Sequence, residues 1–218
     1  MNATLSQEPR PISEKVFMAS NVFSLRSRKA PGRMVTLIGP ALFDARLLLE
    51  FDPDVAEVCE RPRLDISLLR SEKSRPIDFW VARHSKVQHG VIVHGASRVD
   101  KNTTLAVLQR SVEASKVNCQ IWPEVDLMHQ RLLLRNLKQI LPYLNLNGAI
   151  DMALADSLER DIRDCGEKGA SLTELFPGHA QKHRTQIIAS LFVQFHRGRV
   201  SADLRHSPLT SETRWFAL

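Results

Sequence analysis

Apolar positions recur at helical spacing between Gly39 and Phe51, where Leu42, Leu47, Leu48 and Phe51 line up. The pattern predicts a helix that stops before Asp52-Pro53, because the residue ahead of a proline is pushed out of the α region. From Val55 the pattern changes. VAEV, RLDIS, IDFWVA and GVIVH read as a strand meander, and the near-continuous apolar GVIVH predicts a strand covered on both faces. Asn102-Thr103-Thr104 then opens a helix through Ser115, capped by Thr103 or Asn102, with Leu105, Val107, Leu108 and Val112 inward. Val117 to Trp122 reads as one more short strand.

Pro123 marks a boundary. Beyond it, EVDLMHQRLLLRNLKQILPYL is strongly helical, with Leu127, Leu133, Leu134, Leu137, Ile140 and Leu141 at three- and four-residue spacing. Asn145-Leu146-Asn147-Gly148 is a turn, and a second helix follows from about Ala149 to Cys165. Ser171 with Glu174 three residues on forms a capping box for a short helix ending near Phe176. Pro177-Gly178 turns the chain into a longer helix, Gln181 to Phe195, followed by two short strands, Val200 to Leu204 and Thr213 to Ala217. Three helices and a hairpin are the parts of a winged helix, whose third helix commonly enters a major groove.

The order helix, meander, helix, strand is also the core layout of PD-(D/E)XK nucleases. The residues resemble most the TnsA-like endonuclease subunits of heteromeric, Tn-seven-like transposases. Those share a leucine-rich helix running into L-L-E-F-D-P-x-V, then Q-P, P-D-F and E-V-K. This chain reads Leu48-Leu49-Glu50-Phe51-Asp52-Pro53-Asp54-Val55, then Arg61-Pro62, then Pro76-Ile77-Asp78-Phe79. The segment Arg131 to Leu137 resembles the family's R-x-N-L linker helix. The resemblance spans roughly residues 33 to 218. It implies an α/β restriction-endonuclease-like core followed by an α+β winged-helix domain. The expected divisions are a basic, partly flexible arm over 1–34, a nuclease-like domain over 35–122, and a helical linker with winged helix over 123–218.

The resemblance further implies metal ligands, and here the chain departs from it. Asp78 matches the family aspartate, but the E-x-K positions hold Ile92-Val93-His94, and an apolar side chain cannot ligate Mg²⁺. Counting back from Glu50, the usual glutamate position falls near Leu42 or Phe43, with Asp44 as the nearby substitute. Asp44, Asp78 and His94 are therefore degenerate catalytic positions, and the site reads as lost. No metal ligand set and no cofactor are expected, with Mg²⁺ required only if the site is active. The bland alternative for Asp78 is a structural ion pair, since Arg75 and Arg83 flank it. His84, His89 and His94 recur every five residues, yet strand parity points His89 and His94 to opposite faces. His179 and His183 have i, i+4 spacing without a third ligand.

Charge changes the picture next. The net charge is +6, and the pI of about 9.5 favours a polyanionic partner. Arg26, Arg28 and Lys29 resemble the basic arm before TnsA-like cores, and read either as a solvated tail or as phosphate contacts. On the last long helix and the hairpin, Lys182, His183, Arg184, Gln186, Arg197, Arg199 and Arg205 suit a DNA surface; a protein-docking face is the alternative. The three cysteines form no C-x-x-C pair, which argues for a reducing cytoplasm over a disulfide framework. No apolar run approaches the ~18 residues of a membrane span.

The leading expectation is a TnsA-like transposition protein that binds transposon-end DNA, a DDE-type transposase subunit and an AAA+ ATPase regulator. Two alternatives stand beside it. One is a winged-helix DNA-binding regulator with a nuclease-like scaffold; the other is an active metal-dependent endonuclease with a migrated site using Asp44, Asp78 and Lys86 or Lys101.

Overall fold

The computed structural model describes residues 8–18, 20–69, 73–97, 100, 102–146 and 150–218. Lys101 and the Asn147-Gly148 part of the expected turn lie outside them. The chain divides into two compact units. The first holds residues up to Glu50 together with Asp54–His129, and the second holds Phe51–Pro53 together with Gln130–Leu218.

The first unit begins with a short helix α1 (Glu14–Met18) and a hairpin, β1 (Val22–Arg26) antiparallel to β2 (Met34–Ile38), with Arg26 opposite Met34. Residues 22–34, read from the sequence as part of an arm, are thus largely a folded hairpin. The helix α2 (Pro40–Phe51) ends at Asp52-Pro53 as its pattern requires. A mixed four-stranded sheet follows, built from β3 (Val55–Glu60), β6 (Phe79–Arg83), β7 (Gln88–His94) and β8 (Cys119–Pro123) in that spatial order. The first three pair antiparallel; β7 and β8 pair parallel, joined through α3 (Leu105–Ser115). A small side ribbon, β4 (Asp65–Ser67) with β5 (Ser74–Pro76), leads into β6.

In β7 the side chains alternate while Val91, Ile92 and Val93 are all fully buried, so both faces of the sheet are covered. On one face Ile92 packs with Ile66, Leu68, Ile77 and Leu108, and with the half-buried Val112, Cys119 and Ile121. Gly90 leaves room there: a Cβ would lie 3.1 Å from both Ile77 and the Cys119 Sγ, close enough that those side chains would have to shift. The cap of α3 is Thr104, one residue beyond the expected positions. Its backbone is extended (φ −69°, ψ 152°), and its side chain accepts from the Val107 amide.

The predicted helix after Pro123 is broken in two, α4 (Glu124–His129) and α5 (Arg131–Leu144), with Gln130 between them. The second unit continues with α6 (Met152–Asp164), α7 (Leu172–Gly178), α8 (Arg184–His196) and a two-stranded ribbon, β9 (Val200–Ser201) antiparallel to β10 (Phe216–Ala217). Ala170, just before α7, bridges to Trp215 at the start of β10. The core gathers Tyr143, Phe192, Phe195 and Trp215, and Phe51 and Pro53 complete it. The Phe51 ring lies 5.9 Å from that of Phe195, and a Cβ at Gly198 would meet Pro53 at 2.5 Å.

The capping box forms: Ser171 Oγ accepts from the Glu174 amide, and Glu174 accepts from the Ser171 amide at 2.8 Å. That amide, with Arg214 at 2.9 Å, holds the Glu174 carboxyl below its usual value. A lowered folded value means stabilisation present above the ordinary glutamate titration, about pH 4.3, and lost as pH falls through the lower one. The Glu174→Gln variant should therefore unfold below wild type at pH 7, and the gap should narrow as pH falls below about 4.3, in paired thermal melts.

Candidate functional site

Asp78 follows β5 at the entrance to β6, and its amide bonds the Val91 carbonyl at 3.0 Å. Its carboxylate is fully engaged by protein donors. Arg75 Nη1 donates to Oδ1 at 3.1 Å, Arg75 Nη2 to Oδ2 at 2.8 Å, and the Val93 amide to Oδ2 at 2.7 Å. The Arg75 guanidinium is buried and also donates from Nε to Asp100 Oδ1 at 2.8 Å and to the carbonyls of Pro76 and Val93. Asp100 in turn accepts from the amides of Gly95 and Ser97. Two carboxylates thus converge on one planar cation, whose fork matches carboxylate geometry. Burial works to lower the Arg75 value, but Asp78 and Asp100 outweigh it and hold the guanidinium charged. Burial pushes the Asp78 carboxyl upward, against the pull of Arg75 and the Val93 amide.

The other degenerate positions do not complete a metal site. Ile92 is fully buried in the α3-side cluster. His94 donates from Nε2 to the Thr103 carbonyl at 3.0 Å, which commits that nitrogen. Asp44 sits half-buried early in α2. Lys86 lies in the β6–β7 turn, at the opposite end of β6 from Asp78. Among the described residues no group of three His, Cys, Asp or Glu side chains converges as a metal would need. The residues present do not fit Mg²⁺: the position that a cation would share between Asp78 and a second carboxylate is occupied by Arg75. Of the spaced histidines, His84 is exposed and His89 buried, while His179 pairs with Asp161 at 2.7 Å rather than with His183. Cys119 carries no nucleophile, since burial and then the nearby Asp78 charge push its thiol up to about 12.

The basic arm separates into different roles. Arg26 and Arg28 are exposed. Lys29 is buried, and its ammonium donates to the Leu49 carbonyl at 2.9 Å, so it faces the end of α2 rather than solvent. A second buried ion pair fixes this turn. Arg46 and Glu50, one helical turn apart, meet at 2.9 Å, and Glu50 accepts from Ser27 Oγ at 2.6 Å and from the Arg28 amide at 3.0 Å.

On α8 the residues expected at a DNA surface fall at its two ends, since the middle of the helix is covered. Ile187, Ala189 to Gln194 and His196 are all buried, so the helix is the centre of its unit. Gln194 donates to Asp156 at 3.0 Å. Gln186 is half-buried, and its amide oxygen accepts from the His183 N–H at 3.3 Å. Lys182 pairs with Asp151, the cap of α6, at 2.9 Å. His183, Arg184, Arg197, Arg199 and Arg205 are exposed; Arg184 lies over the Phe176 ring at 5.3 Å, and Arg205 reaches Gln130 at 3.3 Å. The ion-pair alternative for Asp78 is what forms, with Arg75; two groups central to the packing were not singled out in the sequence, Asp100 and the buried Asn136. The signal for the Arg75 pair was the R-P-I-D spacing, which sets an arginine three residues before the aspartate.

Comparison with protein-family models and with curated proteins finds no match for this chain.

Proposed function

We propose that this chain is a catalytically silent relative of the PD-(D/E)XK nucleases, of the TnsA-like kind, acting in DNA transposition as a binding and assembly subunit. The observation that carries the reading is Asp78. It stands at the entrance to the second strand of an α2–β3–β6–β7–α3–β8 arrangement, where the resemblance expects a metal ligand, and an arginine holds both its oxygens. The parallel β7–β8 pair joined through α3 agrees with the same core. In the second unit, α6, the Ala170 bridge, α7, α8 and the β9–β10 ribbon follow the order of a winged helix. Its partners on this reading are transposon-end DNA, a DDE-type transposase and an AAA+ ATPase. No helix among the described residues is long and apolar enough to cross a membrane, which agrees with such partners.

Purified protein should leave supercoiled plasmid intact in 10 mM-scale Mg²⁺ or Mn²⁺ while retarding linear duplex in a gel. Reproducible nicking that Asp78→Ala abolishes would show a live site and reject the silent assignment. The winged-helix regulator is the second reading, favoured by the basic exposed residues of the second unit. Retention of the chain by the transposase and ATPase of its own genomic neighbourhood separates the two, because a stand-alone regulator would bind neither.

A further inference from the structure

α5 carries a single-sign stripe that the function so far leaves unused. Arg131, Arg135 and Lys138 are exposed and fall at i, i+4 and i+7. At 3.6 residues per turn they lie within an arc of about 60°, and at 1.5 Å rise they span about 10 Å of the helix. The helix RLLLRNLKQILPYL contains no acidic residue. Its neighbour α6 is built the ordinary way, with Asp156, Glu159, Asp161 and Asp164 among Arg160 and Arg163, and Arg163 pairs with Glu159 at 2.5 Å. Like charges one turn apart weaken a helix slightly, so the α5 stripe carries a cost that intrahelical acids do not offset. Among the described residues no hydrogen bond or ion pair engages the Arg131 or Arg135 guanidinium.

A fourth cation is brought to the same helix by a built device. Asn136 is fully buried, donates to the carbonyls of Leu204 and Ser207 at 2.9 Å each, and accepts from the Leu209 amide at 3.0 Å. It fastens the 204–209 loop to α5, and Arg205 of that loop reaches Gln130, the residue before Arg131. Arg131, Arg135, Lys138 and Arg205 are all exposed.

We propose that Arg131, Arg135, Lys138 and Arg205 form a track for the phosphodiester backbone of duplex DNA. The proposal rests on the DNA-binding part of the functional reading and replaces α8 as the place of contact. A row of cations about 10 Å long on one helix face suits successive phosphates of one strand, each of which takes an arginine fork or a lysine point charge. Such contacts position the duplex without reading its sequence.

The test compares three full-length proteins on one random-sequence duplex, by fluorescence anisotropy across a salt series. These are wild type, Arg131→Gln/Arg135→Gln/Lys138→Gln, and Arg184→Gln/Arg199→Gln. All sites are exposed, so thermal melts of the three should coincide. The triple variant should bind at least tenfold more weakly at 0.1 M salt, with the log–log slope reduced by about 2 to 3, from ~0.9 per lost phosphate contact. The α8-side variant should change the slope by much less. An unchanged slope in the triple variant, with wild type still binding, overturns the track and leaves the functional reading standing. Loss of poly-glutamate binding with DNA affinity intact would assign the stripe to an acidic protein and overturn it equally. Absence of any salt-dependent binding by wild type removes both the track and the DNA-binding reading.

Discussion

Replacing Arg75 by methionine should cost the first unit about 3–5 kcal/mol, because it leaves Asp78 and Asp100 charged in a buried place with no counter-ion. Chemical denaturation read by tryptophan fluorescence measures it, with Trp80 and Trp122 both in that unit. The deficit should depend on pH with a definite sign. Burial already pushes the Asp78 carboxyl upward, and without Arg75 less opposes it, so the variant loses stability as pH rises through the folded value of Asp78. It should approach wild type near pH 4 and separate from it by pH 7. Adding Asp78→Asn and Asp100→Asn should restore part of the loss at neutral pH, since the charge is then gone with its partner. A neutral-pH deficit below about 1 kcal/mol would mean that the cluster is well solvated and that Arg75 does not stand in for a cation.

In the second unit the largest effect is expected at Trp215. Its side chain is fully buried against Phe192 and Phe195, with ring centroids at 5.8 and 5.6 Å. Trp215→Ala should cost about 3–5 kcal/mol, the usual range for emptying a buried aromatic site. Trp215→Phe should keep most of the stability, because the buried indole N–H has no acceptor among the described residues and its removal forfeits no bond. Equilibrium denaturation followed by circular dichroism compares the two; a phenylalanine as damaging as alanine would mean that the N–H is bonded after all.

The sequence carried the regular parts of this fold well, for reasons visible in particular residues. The α2 stop at Asp52-Pro53, the Ser171–Glu174 box and the buried GVIVH strand each rest on a local rule that tertiary packing does not override. The break at Gln130 was invisible because no proline or glycine marks it and the apolar spacing runs through. The β1–β2 hairpin was missed for the opposite reason: its strands alternate weakly, and its turn is held by Glu50 and Arg46, far along the chain. The apolar period of α8 showed one inner face. Its polar positions Ser190 and Gln194 are covered too, bonded to Asp151 and Asp156, and composition alone does not distinguish a polar residue in water from one paired inside. At the candidate site, the flanking arginine of Asp78 was legible, but the return of Asp100 to the same guanidinium depends on the loop after β7.

The assignment of Phe51–Pro53 to the second unit bears on how the chain comes off the ribosome. Strands and helices of the first unit are complete once His129 has emerged, and can close early in synthesis. The last turn of α2 is made at the outset yet meets Phe195 and Gly198 only after about 140 more residues. Until then the Phe51 ring remains without its partners, and the end of α2 waits on α8. The second unit therefore closes last, around a residue made long before the rest of it.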